Sequence, residues 1–172
     1  NRAEIQAFNA IYTAARANTE LSTDDHFCQA TLAAFTTQGA AATAGVVCRY
    51  EATGNNDHYF FRASSTDGGQ TELWKRVTQT FTQLGTNATD PVENDVIRIE
   101  ADGSSITGLI NGSARVGPIT DTSITGFLGC GITGDAGTTG QVIALDTWSA
   151  ADLAAGGATW PGWFHSRGGW TA

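Results

Sequence analysis

Ala44-Gly45-Val46-Val47-Cys48-Arg49-Tyr50-Glu51 is followed by Gly54-Asn55-Asn56-Asp57 and then by His58-Tyr59-Phe60-Phe61-Arg62-Ala63-Ser64. Two apolar-rich runs flank a cluster of turn formers. A strand projects successive side chains to opposite faces, so residues of one parity share a face. In the first run Val46, Cys48 and Tyr50 have one parity, and Val47, Arg49 and Glu51 the other. Gly, Asn and Asp accept the backbone angles of a tight turn. The stretch therefore predicts a β-hairpin.

The same grammar extends both ways. Upstream, His26 to Phe35 alternates, with Cys28, Ala30, Leu32 and Ala34 on one face. Downstream, Asp67-Gly68-Gly69 turns the chain into Glu72 to Thr78, and Thr80 to Leu84 follows. Val96 to Ala101 and Ile106 to Ile110 flank Asp102-Gly103, and Asn111-Gly112 comes next. Asp-Gly and Asn-Gly are strong hairpin signals because both central residues of a type I′ turn need positive φ. Phe127 to Ile132 and Gln141 to Trp148 complete about ten short strands. No intervening segment has the 10–15-residue helical period that a parallel sheet requires. The expected fold is all-β: an antiparallel two-sheet sandwich of jelly-roll type.

Composition narrows the function. The 172 residues are 41% hydrophobic and only 15% charged, with a net charge of −8. That apolar content suffices for a core and excludes disorder. A nucleic-acid partner needs basic surface to release counterions, and this chain has the opposite sign. An anionic membrane surface is disfavoured for the same reason, and no apolar run reaches the roughly 20 residues needed to insert. The chain begins at Asn1 and contains no methionine, so its first residue is expected to be internal or processed. Cys28, Cys48 and Cys130 match no metal or redox spacing. They read as three buried thiols or as one disulfide plus a thiol.

The ends read differently from the middle. Residues 1–22 suggest an arm with a short strand, 23–149 the sandwich, and 150–172 a Gly/Trp-rich tail. The tail holds Trp160, Trp163 and Trp170, with Pro161 breaking regular structure. Exposed aromatics of this kind either cover an edge of their own sandwich or form an assembly surface.

Several segments, in order, resemble one family. They are Asp24-Asp25-His26-Phe27-Cys28-Gln29-Ala30-Thr31-Leu32, the hairpin quoted above, Leu73-Trp74-Lys75-Arg76, Val96 to Gly112, Phe127-Leu128-Gly129-Cys130-Gly131 and Leu145-Asp146-Thr147-Trp148. Together they are similar to the concanavalin A-like lectin/glucanase superfamily in its laminin-G-like form, over roughly residues 20–150. That family's Asp-Phe-rich first strand has no counterpart here. The resemblance implies a jelly roll of a carbohydrate-binding kind, found in secreted bacterial proteins and in phage tail or virion proteins. It implies an extracellular or virion-surface location. The partners would be a cell-surface glycan or other surface or virion proteins, and a homo-oligomer is open to it.

Some members of the superfamily are glycoside hydrolases, whose retaining chemistry needs two carboxylates about 5–5.5 Å apart. Glu100-Ala101-Asp102 has a suitable spacing, but Asp102 enters a turn. Glu93-Asn94-Asp95 precedes a strand. Both read as solvated turn acids, so no catalytic residue is assigned. The lone histidines His26, His58 and His165 read as packing or surface residues, and there is no Gly-x-Ser-x-Gly elbow. Asn55, Asp57 and Asp135 are oxygen-rich loop residues compatible with calcium. Asp/Asn turns are more commonly only turns, so no metal or cofactor is assigned.

Parity also nominates a ligand face. If Val46, Cys48, Tyr50, Tyr59, Phe61, Leu73 and Val77 point inward, Arg49, Phe60, Arg62, Trp74 and Arg76 share the open face. Aromatic rings stack on sugar C–H faces and arginine forks hold hydroxyls or carboxylates. The competing reading is that the arginines lie flat over the rings and cover them. Lys75 shares parity with Leu73 and is expected to mark a bulge or a strand end.

Overall fold

The computed structural model describes residues 3–5, 12–35, 42–64, 69–88, 91–135 and 143–153. Strands β1 (Ala3–Ile5), β2 (Thr13–Arg16), β3 (His26–Phe35), β4 (Thr43–Tyr50), β5 (His58–Ser64) and β6 (Gln70–Val77) come first. They are followed by β7 (Thr80–Asn87), β8 (Val96–Asp102), β9 (Ser105–Ile110), β10 (Ser113–Thr120), β11 (Gly129–Asp135) and β12 (Ile143–Asp152). Sheet I has the order β1-β12-β3-β8-β9-β10 and sheet II the order β2-β11-β4-β5-β6-β7. Every pairing is antiparallel. The expected all-β, two-sheet sandwich is the observed architecture. From the stretch read as arm and short strand, residues 3–5 and 13–16 pair into one edge of each sheet. Trp160, Trp163 and Trp170 lie outside the described residues.

The core lies between the sheets. Sheet I contributes Cys28, Leu32, Ile97, Ile99 and Ile106; sheet II contributes Val46, Cys48, Tyr59, Phe61 and Leu73. Each buried side chain of this size is worth ~1.5–3 kcal/mol relative to exposure. Packing is close where Gly108 on β9 faces Phe61: a Cβ there would stand 2.2 Å from the ring. Phe61 is fully buried and cannot swing away. Gly108→Ala is therefore expected to cost ~1–3 kcal/mol, the usual penalty of overpacking. That lowers Tm by several degrees, about 2–4 °C per kcal/mol at this size. An unchanged thermal melt would show that the sheets can separate at this point.

The three thiols are all buried and free. Trp148 Nε1–H donates to Cys28 Sγ at 2.9 Å, and that thiol donates to the Gly131 carbonyl at 3.2 Å. Burial pushes the Cys48 and Cys130 thiols well up, so they behave as small hydrophobes.

One departure from alternation matters for function. β4 and β11 slip register between Gly129 and Gly131, and Arg49 in the slipped segment has φ of +47°. The extra residue makes a β-bulge, which shifts parity by one beyond it. Val46 and Cys48 face inward as expected. Tyr50, expected inward, instead packs with Val47 and Phe60 on the outer face of sheet II. Arg49, expected on that open face, is 1% exposed and points into the end of the sandwich.

Candidate functional site

The outer face of sheet II carries cross-strand pairs in register. His58 lies opposite Arg76, Phe60 opposite Trp74, and Arg62 opposite Glu72. On the next strand Phe81 lies opposite Arg76 and Gln83 opposite Trp74. Tyr12 reaches the same face from just before β2. Its ring centroid is 5.1 Å from that of Phe60 and 4.8 Å from that of Phe81. Tyr12, Phe60, Arg62, Trp74 and Phe81 line an open hollow of about 160 Å³. Small-molecule pockets usually start near ~300 Å³, so this hollow suits one flat ring of a longer ligand running across the sheet.

The four expected residues other than Arg49 are brought together here, in different roles. Phe60 is 1% exposed and forms the floor. Trp74 is half-buried and stacks parallel beside it, with centroids 6.3 Å apart. Arg62 lies over Trp74, its guanidinium carbon 5.1 Å from the ring centroid. It covers part of that ring, as the competing reading expected. Phe81 is 42% exposed and is the open aromatic surface of the hollow.

Glu72 organises the centre. Its carboxylate accepts from Arg62 Nε at 2.6 Å, Gln70 Nε2 at 2.8 Å and Trp74 Nε1 at 3.1 Å. These bonds fix the Trp74 ring and the Arg62 fork before any ligand arrives. Gly45 permits the crossing of Arg62 over β4: a Cβ there would stand 2.8 Å from Arg62 Cβ.

His58 is fully buried beneath the rings of Tyr12, Tyr50 and Phe60. Its Nδ1 is 2.7 Å from the Asn56 carbonyl, which can only accept, so Nδ1 carries the proton. Nε2 must then accept from the Tyr12 hydroxyl. Burial pulls the imidazole down to about 4 and pushes the Tyr12 phenol well up, so both are neutral at pH 7.

Arg49 supports this face from behind. Its Nε donates to the Asp24 carbonyl at 2.8 Å and its Nη1 to the Ile124 carbonyl at 3.1 Å. Its Nη2 donates to the Gly103 carbonyl at 2.7 Å and to Asp25 at 3.1 Å. The guanidinium thus ties three loops to the bulge that turns Tyr50 towards His58. Lys75 points inward along with Leu73, and the β6–β7 ladder slips register just before it, between Leu73 and Trp74. Its amine reaches the rim and contacts Asp121 at 2.6 Å and Ser123 at 2.7 Å. Burial alone would raise the Asp121 carboxyl. Hydrogen bonds from Lys75, Tyr59 and Ser123 outweigh it and hold the group well below the usual carboxylate range.

The oxygen-rich trio does not converge. Asn55 and Asp57 precede the start of β5, whereas Asp135 pairs with Thr43, which lies opposite Ser64 at the far end of β5. Among the described residues no group of three His, Cys, Asp or Glu is placed to hold a metal ion. The two acid pairs are engaged in turns and surface pairs. Asp95 accepts from the Val92 amide and the Asn111 side chain, and Glu100 pairs with Arg98.

Parity could have found more of the site than it nominated. His58 shares parity with Phe60 and Arg62, and Glu72 shares it with Trp74 and Arg76. Phe81 needs the β6–β7 register as well. Tyr12 had no local signal.

No protein-family model matches the chain, and no curated protein sequence matches it. Solved structures do. The carbohydrate-binding module CBM66 from Bacillus subtilis matches with a TM-score of 0.56 at 8% identity, covering 85% of this chain and 84% of that one. Sheep galectin-11 matches with a TM-score of 0.53 at 11% identity, covering 84% and 98%. A prokaryotic β-1,3-1,4-glucanase from a mouse hindgut metagenome matches with a TM-score of 0.58 at 12% identity, covering 80% and 69%. Identities this low establish the fold alone. The chain has the concanavalin A-like jelly-roll fold of the lectins and glucanases, as its resemblance implied.

Proposed function

We propose that this chain is a non-catalytic, lectin-like module that holds an oligosaccharide across the outer face of sheet II. The carrying observation is the hollow walled by Tyr12, Trp74 and Phe81, with the fixed Arg62–Glu72 pair beside it. Aromatic faces supply stacking surface for sugar C–H groups, and preoriented charged side chains supply hydrogen bonds to hydroxyls. A carbohydrate-binding module and galectins among the structural neighbours support the reading by analogy of fold. The acidic, lightly charged composition supports a setting on a cell or virion surface.

The non-catalytic part rests on carboxylate placement. Glu72 is committed to three hydrogen bonds. Another acid, Asp135, lies on β11, three strands from β6 in the sheet order. At ~4.8 Å per strand the backbones that carry the two acids stand ~14 Å apart, so they are not neighbours on the sheet.

Trp74→Ala tests the site. Losing a central aromatic anchor costs ~2 kcal/mol or more, so affinity for a bound glycan should fall about 30-fold with the thermal melt largely preserved. A glycan array followed by titration calorimetry measures it. Full binding by Trp74→Ala would move the site elsewhere. Release of reducing ends from β-1,3-1,4-glucan, abolished in Glu72→Gln, would make the chain an enzyme.

A further inference from the structure

We propose that Arg76 is an acid-binding corner of this face and that the glycan held there carries a carboxylate, as in a uronic acid residue. The inference rests on the glycan reading of sheet II.

Three cations stand on or beside this face, and two are neutralised. Arg62 is paired with Glu72, and Arg16 with Glu20. Arg76 differs: among the described residues no carboxylate lies within 4.0 Å of it. Its position is also defined. It lies between His58 on one strand and Phe81 on the next, and its guanidinium carbon is 5.6 Å from the Phe81 ring centroid. One Nη1 proton goes to the Asn56 carbonyl at 3.2 Å. The Nε is buried with no partner. The Nη2 group and the second Nη1 proton are left, and that planar end of the fork matches the two oxygens of a carboxylate.

Neighbouring groups favour this use. His58 and Tyr12 are neutral, so neither repels the guanidinium. The buried Nε is left without a partner, and the cation–π contact with Phe81 holds the guanidinium on the face. The side chain is thus held in place without being saturated. A neutral polysaccharide would leave this charge facing hydroxyls alone. A uronate ring seated on Phe81 and Trp74 would deliver its carboxylate to the fork.

The test is calorimetric titration of the full chain with oligogalacturonate, its methyl ester, a sulfated glycosaminoglycan, laminarin and β-1,3-1,4-glucan. The expected result is binding of oligogalacturonate at least tenfold tighter than its methyl ester. Arg76→Gln should lower the affinity for oligogalacturonate at least tenfold and erase its advantage over the ester, and Arg76→Lys should keep part of it. Equal binding of acid and ester, or preference for the neutral glucans or the sulfated chain, overturns the carboxylate corner and leaves the glycan site standing. No binding to any of the five overturns both.

Discussion

Replacing Arg49 with methionine is expected to remove about 4 kcal/mol of stability, more than any other single substitution considered for this chain. The guanidinium is fully enclosed and makes hydrogen bonds to three carbonyls and the Asp25 carboxylate. Methionine fills similar volume but leaves all four acceptors without that donor. Hydrogen bonds to charged groups are worth ~1.5–3 kcal/mol, and breaking a buried ion pair from one side typically costs ~3–5 kcal/mol. Asp25 and Asp24 are partly exposed, so their share is at the low end. Against a total stability of ~5–15 kcal/mol the loss is severe. Arg49→Lys should recover little, because one ammonium cannot reach acceptors on three loops. Urea denaturation measures both variants. A loss below ~1.5 kcal/mol with an unchanged m-value would mean that the loops close without the guanidinium.

Acid should act almost as strongly. His58 is pulled down to about 4 from the ordinary 6.5 by burial. Between those values the unfolded chain binds a proton that the folded chain refuses, so stability falls as pH drops through this window and is complete above it. At ~1.4 kcal/mol per pH unit, the loss from this one group approaches ~3 kcal/mol near pH 4. His26 acts in the same sense. Burial lowers it, its Nδ1–H donates to the Thr23 carbonyl, and its Nε2 accepts the Arg49 amide at 3.0 Å. A proton on Nε2 of His26 would set donor against donor at the Arg49 amide. Below this window Asp24, held low first by the Gly126 amide, and Asp121 extend the decline as they take up protons. Denaturation midpoints at pH 7, 5.5 and 4.5 should fall steadily. His58→Gln, which keeps an acceptor for the Tyr12 hydroxyl, should flatten the slope. A wild-type midpoint constant from pH 7 to 4.5 would contradict the neutral, buried imidazoles.

The sandwich was legible because its strands obey period two. Val96 to Ala101 and His58 to Ser64 place every residue on its expected face. The reading failed at Arg49, where one positive-φ residue inserted a bulge and exchanged inside for outside over Arg49 and Tyr50. Arginine does not favour that backbone region, so no composition signal marked it. Ser113–Thr120 was passed over because Gly117-Pro118 disguises it. It is the edge strand of sheet I, where proline is tolerated, and it slips register twice. Of the candidate site, the β5–β6 pairs came from parity alone. Tyr12 did not, because β2 is placed by contacts far along the chain, such as the hydrogen bond from Thr133 to the Thr13 carbonyl, 120 positions away.

That separation sets the order in which the molecule can assemble. β2 has no neighbour in its sheet until β11 has been made, β1 waits for β12, and β3 waits for β8. Closing such long loops before any contact rewards it makes folding slow, on the millisecond-to-second scale of non-local β topologies. On the ribosome, the β4–β7 ribbon with Phe60, Trp74 and Phe81 is the first group of strands able to pair, and it stands without its Tyr12 wall. Those aromatic surfaces stay open while the second half of the chain is synthesised, which makes the nascent ribbon the stage at which a chaperone has most to shield.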